Sequence, residues 1–292
     1  MNTRTAVQEI GGRTEAIAVG EPERSDAWYL DPLAAQQKRR TNLEVVRDAI
    51  QGLREPPRVV LKTDLFEEAN GADHLLFDLD LGQRIAAGFD LSPETVARAG
   101  RRTAHSDRPF FVSDARKLAL ASNSVDLIIS TSTLDHMSGA ADLEQALREL
   151  YRALRPGGRM ALTLDNPWNP VYPILRVICA MPGAPFELGY TTTRAGLDTL
   201  LRKVGFTPRS WRPILHNPRL ASTAYFMALR KVFGDRADSL IEKSIRFFDR
   251  FEELPTRWMS CCFIAVCVEK AERRPSATER SATYRMIQAG CE

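Results

Sequence analysis

Gly88-Phe89-Asp90-Leu91-Ser92-Pro93-Glu94 is the stretch with the clearest chemical content. An apolar run ends in an acid, and Ser92 then caps a helix that begins at Pro93. At the end of a second strand in a doubly wound sheet, such a carboxylate accepts from ribose hydroxyls, two donors meeting two oxygens. An ordinary aspartate near a helix start, favoured by the macrodipole, has the same local sequence, so Asp90 alone leaves both readings open. A second acid closes the next apolar run in Val112-Ser113-Asp114-Ala115, and hydroxyls close the one after it at Ser130, Thr131 and Ser132. Just beyond stand Asp135 and His136, candidates for a general base because an imidazole titrates near neutrality. A loop histidine is as readily a surface or packing residue, and His74, His105 and His216 have weaker positions.

These residues need a scaffold, and the periodicity supplies one. Apolar runs at 58–62, 84–90, 110–112, 125–130 and 159–164 read as five strands, separated by a helix or loop-helix segment at 65–77 and by helices at 93–104 and 141–154. Residues 155–158, Arg-Pro-Gly-Gly, read as a turn. This alternation predicts an α/β fold with a doubly wound, mostly parallel sheet covered on both faces. Residues 205–211 and 261–269 read as sixth and seventh strands, with helical stretches at 220–233 and 237–254 between them. A connection that long is uncommon unless it acts as a lid or binding element, so 213–258 reads as a helical insertion before the last strand. Upstream, Asp31-Pro32 is a helix start, and Leu33, Leu43, Val46, Ile50 and Leu53 form a stripe closed by Gly52. That helix is expected across the front of the main domain. The chain thus divides into a flexible segment at 1–27, one domain at 28–270 and a disordered tail at 271–292.

Four elements, in order and at normal spacing, resemble class I S-adenosylmethionine-dependent methyltransferases of the small-molecule type. They are Asp90-Leu91-Ser92-Pro93, Asp114-Ala115, the strand Val125-Asp126-Leu127-Ile128-Ile129-Ser130, and Leu150-Tyr151-Arg152-Ala153-Leu154-Arg155-Pro156-Gly157-Gly158. The resemblance spans roughly 58–206 and implies a Rossmann-like methyltransferase fold with seven strands. It implies that Asp90 holds the ribose hydroxyls of S-adenosylmethionine, with Leu91 against the adenine. It also implies that Asp114 accepts from the adenine amino group beside Ala115, and that Ser130 and Thr131 line the methionine end or the acceptor.

The first motif departs from the family. In place of a glycine cluster the first strand runs into Lys62-Thr63-Asp64-Leu65-Phe66-Glu67-Glu68-Ala69-Asn70-Gly71. Asp64 stands either for the motif's acid or at the first glycine's position. S-adenosylmethionine carries a sulfonium and an ammonium but no phosphate, so carboxylates attract it. Thr63, Asp64 and Glu68 are therefore candidate cofactor contacts, against the alternative of a solvated acidic helix start. Asp165-Asn166-Pro167-Trp168 follows the fifth strand and has one proline, so it does not match the motif of amino-group nucleic-acid methyltransferases. It reads as a turn that also shapes the acceptor pocket.

Composition narrows the partners. A net charge of +3, with no basic stripe interleaved with aromatics, argues against nucleic acid and against an RNA methyltransferase. The start lacks a signal-peptide pattern and no apolar run is long enough to span a membrane, which predicts a cytoplasmic protein. Five cysteines without a CxxC pair read as reduced packing residues, with no metal site. Residues 168–190 are apolar with little charge, and a membrane-surface role is one alternative for them. Tyr172, Leu175, Ile178, Phe186, Tyr190, Tyr225 and Phe226 are candidate walls of a moderately apolar acceptor pocket. The reading is methyl transfer from S-adenosylmethionine to a small acceptor. Its rival is a catalytically inactive binding or regulatory protein on the same fold.

Overall fold

A computed structural model describes residues 31–70, 75–79, 85–102, 109–182 and 188–272. The expectations for 1–27 and 273–292, and for Gly71, His74, His105 and Phe186, lie outside the described residues.

Seven strands form one sheet in the order β3-β2-β1-β4-β5-β7-β6. They are β1 (Val59–Lys62), β2 (Ile85–Asp90), β3 (Phe110–Val112), β4 (Val125–Thr131), β5 (Leu154–Asp165), β6 (Phe206–Ile214) and β7 (Phe263–Lys270). The first five pair in parallel, whereas β7 pairs antiparallel with both β5 and β6. The sheet is thus mixed at one end and doubly wound elsewhere.

Alternation along each strand sorts side chains to two faces. Val60, Leu127, Ile129, Ala161 and Ala265 join one buried cluster with Val45, Val46 and Ala49 of α1 (Pro32–Gln51). Leu61, Ile128, Leu162 and Val266 join the other, with α5 (Ala140–Ala153) and α7 (Arg194–Val204). Between them come α2 (Phe66–Asn70), α3 (Leu75–Asp78), α4 (Pro93–Arg102) and α6 (Tyr172–Cys179). No helix among the described residues is long and apolar enough to cross a membrane.

Helix α1 begins where the sequence places it. Asp31 Oδ1 accepts from the Leu33 amide at 2.9 Å, Pro32 opens the helix, and Gly52 caps its end. The later part of its stripe covers one face of the sheet at β5 and β7, while Ala35 and Lys38 near its start reach the carboxyl ends of the strands.

Two local readings change. Residues 155–158 lie within β5, because Leu154 pairs with Val125 and pairing resumes at Arg159 with Leu127 after a register shift. Turn chemistry here makes a bulge in a continuing strand, with Gly157 at φ 76°. The last strand starts at Phe263, two residues later than its apolar run suggested.

The connection between β6 and β7 is helical, with α8 (Arg219–Phe233), α9 (Ala237–Asp249) and α10 (Arg257–Ser260). Phe226, Ala237, Ile241 and Ile245 bury against Ala34 at the start of α1. The insertion is fastened there by Arg230 on Asp31 and by Gln37 Nε2 donating to Asp249 at 2.6 Å. This places the N-terminus of α8 beside the end of β5.

Candidate functional site

Strand order reverses between β1 and β4, and a crevice opens at the carboxyl ends of the strands there. It holds a cavity of about 550 Å³. Seven acids (Asp64, Glu67, Asp90, Asp114, Asp135, Asp142, Asp165) and four bases (Lys38, Arg116, His136, Arg219) line it, so the cavity favours cationic groups.

The loop after β1 is held by side chains where glycines would otherwise permit tight backbone turns. Lys62 ends the strand with its side chain fully buried, and its ammonium lies 2.8 Å from Glu68 Oε2, 2.8 Å from the Asp64 carbonyl and 3.5 Å from Glu67 Oε2. Burial disfavours the charged ammonium, but Glu68, Asp64 and Glu67 together outweigh that and hold Lys62 well above the ordinary lysine value. Lys38 of α1 reaches Glu67 at 2.6 Å and ties the loop to the first helix. Asp64 accepts from the Phe66 amide at 2.8 Å, starting α2, and from Thr133 Oγ1 at 3.2 Å. Thr63 Oγ1 lies 3.0 Å from both Ser130 Oγ and Thr133 Oγ1.

Asp90 sits where β2 ends. Its Oδ1 accepts from the Ser92 amide at 2.8 Å and its Oδ2 from the Leu65 amide at 3.1 Å. A carboxylate has roughly four acceptor positions, so two further donors fit. Burial raises its pKa, partly offset by the Ser92 amide bond. Leu91 stands beside it, 62 % exposed and part of the cavity wall. Asp114 is gripped by Arg116, whose Nη2 approaches Oδ2 at 2.7 Å, and this bond holds its carboxyl below the usual range. Arg116 also reaches Asp142 at 3.2 Å.

At the other end of the cavity two acids meet. Asp135, in a short 3-10 turn at Leu134–His136, is buried, and its Oδ2 accepts from the Asp165 amide at 3.2 Å. Asp165 ends β5, and Arg219 Nη1 donates to its Oδ1 at 2.7 Å. Burial raises both carboxyls, against the pull of Arg219 and His136, and the Asp135 charge helps push Asp165 up to about 7.

This sets a pH dependence. An unfolded aspartate releases its proton near pH ~3.9, whereas folded Asp165 keeps it to about 7. Between those values the folded state binds more protons, so this group's contribution is complete below the lower value and lost as pH rises through the upper one. The Asp165→Asn variant is therefore expected to lose less stability than the parent between about pH 5 and about pH 8, measured as the shift in urea midpoint. An equal loss in both proteins contradicts the assignment.

The cavity brings together Thr63, Asp64, Asp90, Leu91, Asp114, Ala115, Thr131, Asp135 and His136. Glu68 and Ser130 lie behind its wall, both fully buried, one spent on Lys62 and the other on Thr63. His216 lies elsewhere, 2.8 Å from Ser260 Oγ. Tyr172, Leu175 and Ile178 line a second, apolar cavity of about 280 Å³. Tyr190, Tyr225 and Phe226 line neither cavity; Phe226 is core and Tyr225 is surface. Sequence reasoning missed Lys38, Arg116 and Arg219. Asp165 carried a usable signal, since it closes a parallel strand at the edge where such folds bind ligands.

Residues 69–162 match a family model described as a methyltransferase domain. Among solved structures the chain is similar to an S-adenosylmethionine-dependent methyltransferase from Methanosarcina mazei, with 14% identity, a TM-score of 0.52, and coverage of 76% of this chain and 96% of that one. It is similar to the cyclase SpnF at 17% identity and a TM-score of 0.52, covering 84% and 86%. It is also similar to a geranyl diphosphate methyltransferase in complex with GPP and sinefungin, at 15% identity and a TM-score of 0.50, covering 77% of each chain. Likeness at these identities establishes the fold, and one fold hosts more than one reaction.

Proposed function

We propose that this chain, whose residues 69–162 match a methyltransferase domain, transfers a methyl group from S-adenosylmethionine to a small, moderately apolar acceptor. The observation that carries this is the acid-lined cavity at the switch point, with Asp90 and Asp114 at one end and an apolar cavity adjoining the other.

The donor set fits the family's cofactor. Asp90 has acceptor positions free for two ribose hydroxyls, Leu91 offers an apolar face to the adenine, and Asp114 beside Ala115 accepts from the adenine amino group. Thr63, Asp64 and Thr131 face the methionine end, where an excess of carboxylates suits a ligand with two cationic groups and one carboxylate. Glu68 and Ser130 act from behind, holding Lys62 and Thr63 in place.

When bound, S-adenosylmethionine supplies a methyl already activated on sulfur. What remains for the protein is alignment of the acceptor, exclusion of water and handling of one proton. Asp135 and His136, which both line the cavity, perform the last task at the acceptor end. The inactive-protein reading expects side chains filling the cleft, and an open cavity of about 550 Å³ favours a working site.

Isothermal titration of the folded chain with S-adenosylmethionine and S-adenosylhomocysteine tests the proposal. Saturable binding of both is expected; binding of neither sinks it.

A further inference from the structure

The second cavity is more than a neighbour of the first. Asp165 and Arg219 line both, so their ion pair forms the sill between an acid-rich chamber and an apolar one. The apolar chamber lies between α6 and the start of α8, with Val171, Ile174, Leu175, Ile178 and Leu220 in its walls.

Two buried polar atoms of residues lining the first chamber meet no partner among the described residues. They are Asp135 Oδ1, on a side chain 4 % exposed, and Thr131 Oγ1, on one 3 % exposed. Both residues line the chamber. A buried carboxylate oxygen without a donor is costly and marks a place where a ligand group belongs.

Charge decides what that group is. Asp135 and Asp165 bring two carboxyls, His136 stands next to Asp135, and Arg219 brings one guanidinium, which bonds Asp165 and lies 4.8 Å above the Phe263 ring. Lys38 is the next cation along the wall, and it is engaged with Glu67. A neutral hydroxyl would give Asp135 a single donor and no countercharge. An ammonium gives both donors and charge, and donors to a buried carboxylate are strongest when charged. A carboxylate head would meet two acids and be repelled.

We infer that the acceptor is an apolar amine, its nitrogen held by Asp135 beside the Asp165–Arg219 pair and its hydrocarbon body lodged between α6 and α8. This rests on the methyl-transfer reading above. The bound ammonium gives one proton to Asp135, whose burial raises its affinity for that proton. The freed lone pair forms the nitrogen–methyl bond as the methyl–sulfur bond breaks, its electrons remaining on sulfur. The product leaves as an ammonium with the charge the substrate had, and Asp135 returns its proton to water.

The test uses the full chain loaded with S-adenosylhomocysteine and a graded panel of alkyl and arylalkyl amines. Each amine is paired with the alcohol and the carboxylate of the same body, and binding is read by calorimetry. Amines are expected to bind at least about tenfold more tightly than their alcohols, the carboxylates not at all. Asp135→Asn is expected to cost the amines at least about tenfold more than it costs S-adenosylhomocysteine. Ala221→Trp, at an exposed site on the rim of the apolar chamber, is expected to block amines while S-adenosylhomocysteine still binds, which also reports that the variant folds. No preference for amines, including no binding by any member, overturns the inference and leaves methyl transfer standing. Failure of the parent protein to bind S-adenosylhomocysteine removes both.

Discussion

Replacing Asp90 by alanine is expected to weaken binding of S-adenosylmethionine and S-adenosylhomocysteine by at least about 1.5 kcal/mol, roughly tenfold, because charge-assisted hydrogen bonds to two hydroxyls are lost. The same carboxylate also accepts from the Leu65 and Ser92 amides, so its loss loosens the loop as well as the contact. The two effects separate with an analogue lacking the ribose hydroxyls. If Asp90 acts through those hydroxyls, the analogue binds parent and variant alike. An analogue that loses affinity as steeply as the natural ligand shows that Asp90 only shapes the loop. Unchanged affinity for the natural ligands refutes the contact altogether.

The largest effect on stability is expected at Lys62. Its ammonium is fully buried and faces Glu68, itself fully buried, with Glu67 close by. Lys62→Met removes the cation and leaves these carboxylates uncompensated, a change expected to cost about 3–5 kcal/mol. Pairing it with Glu68→Gln removes the stranded charge and keeps an acceptor for the Leu76 amide, 3.3 Å from Glu68 Oε1. The double variant should recover most of the loss. Urea unfolding measures both, and a single-variant cost under about 1 kcal/mol means the ion pair does not hold this loop. Because Thr63 and Asp64 follow Lys62 directly, the single variant should also bind S-adenosylhomocysteine less tightly than the double.

How far the sequence carries depends on the range of each interaction. The strands were legible because short continuous apolar runs are a local signal of strands buried on both faces, and so were the start of α1 at Asp31-Pro32 and its end at Gly52. Asp90 and Asp114 were legible as candidates because the end of a parallel strand is a place on the fold, not just a residue type. Residues 155–158 misled because Pro-Gly-Gly has turn chemistry, while pairing of β4 with β5 carries the strand through it. Lys62 gave no warning, since a lysine ending an apolar strand ordinarily meets water; its burial depends on Glu68 and Glu67, brought over it by a short helix. Glu68 read as a cofactor contact for the same reason, its charge being visible and its partner not. Arg219 was out of reach, because its bond to Asp165 spans 54 residues of chain and exists only once the insertion has docked.

That docking gives the molecule a seam along which it can be re-engineered. Asp90, Asp114 and the loop after β1 belong to the parallel part of the sheet, whereas Arg219 and one wall of the apolar chamber arrive on the segment between β6 and β7. Since β6 and β7 pair antiparallel as neighbours, that segment enters and leaves the sheet at one edge and behaves as a cassette. Exchange of the cassette would redirect acceptor choice without disturbing the half that carries Asp90. Two passengers must travel with any replacement, cations where Arg219 and Arg230 stand, because Asp165 and Asp31 belong to the frame and stay behind.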